Sequence, residues 1–225
     1  MTRPEPPGVG GRPSGARAGL SRERILEAAV DLVDAEGLDA LSMRRLGKEL
    51  GVEAMSLYNH VPNKAALLDG LVDLIIAQVP IEPRQTEWTE QIRMMARAYR
   101  KVAVTHPNVV PLLAMRPFTG FKELEPIDYA FGCLREAGFS DADALHAFRV
   151  LAAFATGYLL SETGGSFGTG SIIDGNHTID PDDFGIADYP HLQAMIPHMI
   201  DTDLDAEFEF GLDAMIEGLK KHLEK

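Results

Sequence analysis

Between Leu41 and Lys64 the chain sets three basic side chains, Arg44, Arg45 and Lys48, ahead of a run of short or hydrogen-bonding ones: Ala54, Met55, Ser56, Tyr58, Asn59 and His60. Arg44 can reach a guanine edge or a phosphate, and Tyr58, His60 and Lys64 suit phosphate oxygens that set register. Gly51 lies between the two groups, and Val52 and Leu57 supply apolar anchors. A helix-turn-helix needs a small residue at the turn, anchors that fix the crossing angle, and a second helix whose outward side chains are short enough to approach base edges. An ordinary helical hairpin with a solvated face shows the same period, so the pattern by itself leaves both readings open.

Other chemistry finds little support. His191 and His198 are seven residues apart with Pro197 between them, and His106 and His146 fall on different helices, so no metal pattern forms. The run Gly164-Gly165-Ser166-Phe167-Gly168-Thr169-Gly170 lacks the Gly-Lys-Ser/Thr ending of a phosphate loop and a strand before it. Asp180, Asp182 and Asp183 around Pro181 read as a solvated acidic turn. No serine or cysteine has a nucleophile motif around it. The single cysteine, Cys133, excludes an intramolecular disulfide and lies beside Phe131 and Leu134, which suits a buried, inert thiol. The expectation is a protein that is not an enzyme and uses neither metal nor cofactor.

The elements that would hold the motif are helical throughout. Ile25, Ala28, Ala29, Leu32 and Val33 share one face of a helix that Ser21 caps and Gly37 ends with a left-handed residue. Ser42 caps a short helix ended by Gly51, and a third spans about 53–59. Pro62 blocks its continuation, and Asn63 caps a fourth helix that reaches Val79 before Pro80. Further helices follow over 86–105 (capped by Thr86), 107–115, 123–137, a long one from Ser140 to about Glu162, 190–200 and 204–223. A Gly- and Asp-rich loop over 163–187 interrupts them. No strand pattern and no repeat is visible. The fold class is therefore all-α: a three-helix N-terminal unit at 20–66 that holds the candidate helix-turn-helix and a helical remainder at 67–225, behind a disordered, basic tail at 1–19 carrying Arg3, Arg12 and Arg17.

The formal net charge is -13 over 225 residues, which counts mildly against nucleic-acid binding. Net charge governs solubility and long-range steering rather than where basic groups sit, so an acidic body can carry a local reading head. No signal peptide is visible, and no run is expected to reach the roughly 18 apolar residues of a membrane helix. A cytoplasmic protein with no membrane partner is the expectation.

The spacing of many residues at once then becomes specific. Ile25-Leu26-Glu27-Ala28-Ala29, Glu36-Gly37-Leu38, Leu41-Ser42-Met43-Arg44-Arg45-Leu46, Gly51-Val52, Leu57-Tyr58-Asn59-His60-Val61, Asn63-Lys64 and Ala66-Leu67-Leu68 together resemble the DNA-binding domain of the tetracycline-repressor (TetR) family over about residues 20–70. Trp88, His106-Pro107, Arg116-Pro117, Gly138-Phe139-Ser140 with Ala144-Leu145, Gly157, Phe210-Gly211-Leu212 and Gly218-Leu219 extend the likeness to the tetracycline-binding branch. The resemblance implies a homodimer that binds double-stranded operator DNA and is released by a small-molecule effector, with a helix-turn-helix DNA-binding domain at 20–66 and a ligand-binding and dimerisation domain at 67–225. It also implies that the helices at 140–162 and 204–223 pair with their copies in a four-helix interface. The apolar faces of those helices (Leu145, Phe148, Leu151, Ala152, Ala155; Phe208, Leu212, Met215, Leu219) agree with such burial.

In that branch the drug arrives as a magnesium chelate held by imidazole and amide groups. Here the corresponding places carry Pro80, Met95, Leu112 or Leu113, and Ala153, while Glu162 stands one residue beyond the expected carboxylate. Few oxygen ligands remain for magnesium, so poor binding of magnesium–tetracycline is expected. The implied pocket is mostly apolar, drawn from Met95, Tyr99, Leu113, Phe118, Ile127, Phe131, Phe148, Ala152 and Tyr158, with Arg116 as its polar anchor. Each of these residues could equally be plain core.

Overall fold

The computed structural model describes residues 19–81, 87–116, 124–164, 188–200 and 202–224. Among them there are only helices and turns. The tail residues 1–18, the cap at Thr86, Pro117 and Phe118, and loop residues 165–187 lie outside the described residues.

The head begins with α1 (Arg22–Glu36), whose first turn is closed by Ser21 Oγ accepting from Arg24 N at 3.2 Å. Gly37 ends it at φ 83°, ψ 167°, a conformation open to glycine but outside the left-handed helical cap expected there. In α2 (Met43–Leu50), Ser42 Oγ accepts from Arg45 N at 3.1 Å, and Gly51 (φ 68°, ψ 32°) is a true left-handed cap. The third helix, α3 (Ala54–Leu57), is a single turn; Tyr58, Asn59 and His60 continue as turn residues rather than helix. Asn63 Oδ1 accepts from Ala66 N at 2.8 Å and starts α4 (Lys64–Ile76), so Ala77 to Val79 are turn rather than a last helical turn.

The body consists of α5 (Trp88–Thr105), α6 (Val110–Met115), α7 (Leu124–Glu136), α8 (Asp141–Thr163), α9 (Pro190–Ile200) and α10 (Leu204–Leu223). Ser140 caps α8, accepting from Asp143 N at 3.1 Å, and Asp203 caps α10, accepting from Asp205 N and Ala206 N at 3.0 Å. The carboxylates in both first turns suit the positive ends of the helix dipoles.

Two apolar clusters hold the chain together. One runs from Ile25, Leu26, Leu46 and Leu57 in the head through Leu67 and Leu71 of α4 into Ala103, Val110, Leu113 and Leu159 of the body. The other joins Ile92, Leu134, Phe139, Ala147, Tyr158, Phe208, Leu212 and Ile216. Close approaches mark the seams. A Cβ on Gly70 would lie 2.5 Å from Leu26 Cδ2, and one on Gly211 would overlap the Phe154 ring, so α1 packs on α4 and α8 on α10 through glycine. Cys133 is buried, as expected, and its thiol donates to Gln91 Oε1 at 2.8 Å.

Along its other flank α5 carries three arginines on carboxylates. Arg93 meets Asp213 at 2.7 Å, Arg97 meets Glu209 at 2.7 and 2.8 Å, and Arg100 meets Glu162 at 2.6 and 2.9 Å and Asp205 at 2.6 Å. Exposed pairs of this kind contribute about 0–1 kcal/mol each; the Arg100–Glu162 pair is sheltered. By length and mean composition α8 is apolar enough to cross a membrane, as a helix of a folded core can also be, although His146, Arg149, Thr156 and Gly157 interrupt its apolar residues. Only 28 % of that stretch is buried within one chain, and Val150 on α8 and Phe210 on α10 (79 % exposed) face outward.

Candidate nucleic-acid interface and ligand pocket

The geometry of the helix-turn-helix is set at Gly47. A Cβ there would lie 2.9 Å from Val52 O and 3.2 Å from Ala54 N, so only glycine lets the α2 backbone touch the start of α3. Val52 N donates to Gly47 O at 2.9 Å across the turn, and Leu46, Leu57 and Val61 are fully buried beneath it. This tight seat for α3 was not read from the sequence, where Gly51 alone stood for the turn.

The buried anchors leave one face outward. Arg44, Met55, Tyr58, Asn59, His60 and Lys64 are exposed, Met55 at 74 % and Tyr58 at 42 %. Ser56 is half-buried, and Ala54 packs partly against the head's core instead of standing out as expected, because it abuts Gly47. The basic trio also divides. Arg45 turns back onto Glu36 and Glu49, whose carboxylates raise its pKa, with Nη1 2.7 Å from Glu49 Oε2. Arg44 and Lys48 remain exposed on α2.

The second candidate site is a cavity in the body with an empty volume of about 810 Å³, part of it open to solvent. Its walls come from α4 and the turn after it (Ile76, Val79), from α5 (Ile92, Met95, Ala96, Tyr99), from α7 (Pro126, Ile127, Ala130, Leu134) and from α8 (Phe148, Leu151, Ala152, Ala155, Thr156). Five expected residues meet there: Met95, Tyr99, Ile127, Phe148 and Ala152. Phe131 stands behind the wall, its ring centroid 4.9 Å from that of Phe148. The polar contribution comes from Tyr99 Oη and Thr156 Oγ1, 3.3 Å apart. Burial raises the pKa of the Tyr99 phenol.

Three expected pocket residues are elsewhere. Leu113 belongs to the cluster that joins head and body. Tyr158 donates to Leu204 O at 2.8 Å between α8 and α10, near Phe208 and Arg100, and burial pushes its pKa up to about 12. Arg116 is not a pocket anchor: its Nε donates to Asp69 Oδ1 at 2.7 Å and its Nη2 to Ala65 O at 3.1 Å, both on α4. Ile76, Val79, Ile92, Ala96, Pro126, Ala130, Leu134 and Thr156 were not expected there, and Leu151 and Ala155, read with Phe148 and Ala152 as the dimer face of α8, turn into the cavity wall instead, while Phe208 and Leu212 of α10 are buried within the chain.

The helix α4 spans the distance between the two candidate sites. Its first turn ends the DNA face at Lys64, its middle is tied to the body by Arg116, and its last residue, Ile76, lines the cavity. A second polar tie lies at the same junction. His106 Nδ1 is 2.7 Å from Asp34 Oδ2 of α1, and Nε2 is 3.3 Å from Gln78 Oε1 just beyond α4. Asn108 Nδ2 donates to Val33 O at 3.0 Å.

Two family models match successive parts of the chain. Residues 25–71 match the model of the bacterial regulatory proteins of the tetR family, and residues 79–223 match that of the tetracyclin repressor-like C-terminal domain. Tetracycline repressor protein class A from transposon 1721 of Escherichia coli is 32 % identical over 206 residues, covering 90 % of this chain and 91 % of that protein. Among solved structures, the Streptomyces coelicolor TetR family protein ActR in complex with actinorhodin is 32 % identical, with a TM-score of 0.74, covering 90 % of this chain and 96 % of that one. A single-residue variant of TetR from Acinetobacter baumannii AYE in complex with minocycline, 23 % identical with a TM-score of 0.71, covers 92 % of this chain and 96 % of that one, and shares the fold. The chain belongs to the TetR family of bacterial transcriptional regulators.

Proposed function

We propose that this chain is a ligand-responsive repressor that binds a near-palindromic operator as a homodimer and is released by a mostly apolar small molecule. The observation that carries the reading is the double role of α4, which starts in the DNA face at Lys64 and ends in the cavity wall at Ile76. A ligand that binds better to a shifted α4 lowers DNA affinity by linkage, since each ligand then disfavours the state the other needs. Arg116 and His106 are the polar ties such a shift must strain or re-seat.

On the DNA side, Arg44, Met55, Ser56 and Asn59 are assigned to base edges, and Tyr58, His60 and Lys64 to phosphates. Two copies related by a two-fold axis would set their α3 helices in successive major grooves, about 34 Å apart. Val150 of α8 and Phe210 of α10, exposed in the single chain, are assigned to the dimer interface. Among the described residues the cavity lining contains neither carboxylate nor imidazole, which argues against a magnesium–tetracycline effector.

The test is fluorescence anisotropy of the purified protein on its own upstream intergenic DNA against a scrambled duplex at fixed salt. Selective binding at two subunits per site is expected. Binding no better than to the scrambled duplex, together with no enriched sequence in random-duplex selection, would overturn the reading.

A further inference from the structure

We infer that the molecule this cavity takes is uncharged, bears aromatic rings, and presents one hydrogen-bonding group to the Tyr99–Thr156 hydroxyl pair, so that anions are rejected. The inference rests on the reading of the cavity as the effector site and names what enters it.

Of the fifteen lining residues among those described none is ionised at neutral pH, and of these Tyr99 and Thr156 alone bring polar side-chain oxygen or nitrogen atoms. An unpaired carboxylate or sulfonate moved into such a lining loses its hydration without a partner, which costs several kcal/mol or more. The cations that the same helix carries do not relieve this. Arg93, Arg97 and Arg100 occupy the flank of α5 that meets α10, each on a carboxylate, whereas Ile92, Met95, Ala96 and Tyr99 face the cavity. Phe148, backed by Phe131, and Tyr99 offer ring faces and edges for aromatic contact. The hydroxyl pair is the discriminating element. Its 3.3 Å separation is long for an O–H···O bond. Whichever hydroxyl donates, one proton and several lone pairs are left for a ligand. A buried polar pair of this kind disfavours a molecule that covers it without bonding to it.

Three fluorescent probes of similar ring size separate these points: N-phenyl-1-naphthylamine, neutral with one N–H; 8-anilino-1-naphthalenesulfonate, the same rings with an anion; and pyrene, neutral with no hydrogen-bonding group. Each is titrated against the full-length protein. N-phenyl-1-naphthylamine is expected to bind at least about tenfold more tightly than the sulfonate. Ala152→Phe from α8 and Ala96→Phe from α5, each checked for folding by thermal melting, fill the cavity from opposite walls and weaken the amine about tenfold. Thr156→Val lowers the affinity for the amine relative to pyrene by about fivefold. Equal binding of amine and sulfonate, or amine binding untouched by both filling variants, overturns the inference; an unchanged amine-to-pyrene ratio in Thr156→Val overturns the role of the hydroxyl pair. The amine is also added to the DNA complex. Binding with the expected selectivity but without release of DNA leaves the ligand class standing and overturns the control of DNA binding instead.

Discussion

The DNA face is drawn from one short stretch, residues 44–64, whereas the cavity gathers side chains from four helices between Ile76 and Thr156. In the first, outward side chains are fixed by caps and a tight turn a few residues away. In the second, nothing local distinguishes a wall from the core, because both are apolar helix faces; only the packing of α4, α5, α7 and α8 decides which face meets open space. A contiguous site therefore tolerates little change in its backbone and much in its distant surroundings, and an assembled site the reverse.

The largest break in this comparison is expected at Gly47. Gly47→Val drives methyl groups into Val52 O and Ala54 N, at a cost of about 1–3 kcal/mol, the upper end of which is about 100-fold in affinity. Anisotropy on the selected operator should fall accordingly, while binding of N-phenyl-1-naphthylamine in the body changes little; equal loss at both sites would mean that head and body fail together. Arg44→Ala comes next. Loss of a base contact costs about 1–3 kcal/mol on the operator alone, so discrimination between operator and scrambled duplex should narrow. Tyr58→Ala and Lys64→Ala should instead weaken both duplexes alike, by about threefold to tenfold, with the salt slope for Lys64→Ala falling by about one. If Lys64→Ala changed sequence preference, the division between base and phosphate contacts would be wrong. The smallest effect is expected for Arg116→Ala, which removes the tie to Asp69 and Ala65. It should change the coupling between probe and DNA by about 0.5 kcal/mol, roughly twofold, read as the shift in DNA affinity at saturating amine.

This contrast also explains what the sequence displayed. Ser21, Ser42, Asn63 and Ser140 were legible as caps because each acts on a backbone amide three residues on. Gly51 was legible because a left-handed residue must follow a helix that turns so sharply. Gly47 was not, because its reason is the approach of Ala54 across the turn. In the body, the family resemblance named Met95, Tyr99, Phe148 and Ala152 for the pocket, and these do line the cavity. It could not tell that Leu113 faces the head or that Tyr158 faces α10. Arg116 misled for a related reason: its partner, Asp69, is 47 residues away in sequence. Arg45 likewise looked like Arg44 until Glu36, nine residues back, was brought beside it.

A practical constraint on engineering follows from the shared cluster around α4. The apolar cluster that begins at Ile25 and Leu26 passes through Leu67 and Leu71 into Val110, Leu113 and Leu159 without interruption. A cut after residue 66 therefore falls within a helix and across a packed seam. A chimera that carries this head onto another regulator's body will keep its response only if α4 travels with its partners on α6 and α8, or if those partners are rebuilt to match. Under the proposed mechanism, moving residues 20–66 alone would carry over the candidate reading surface without most of the helix assigned to move it.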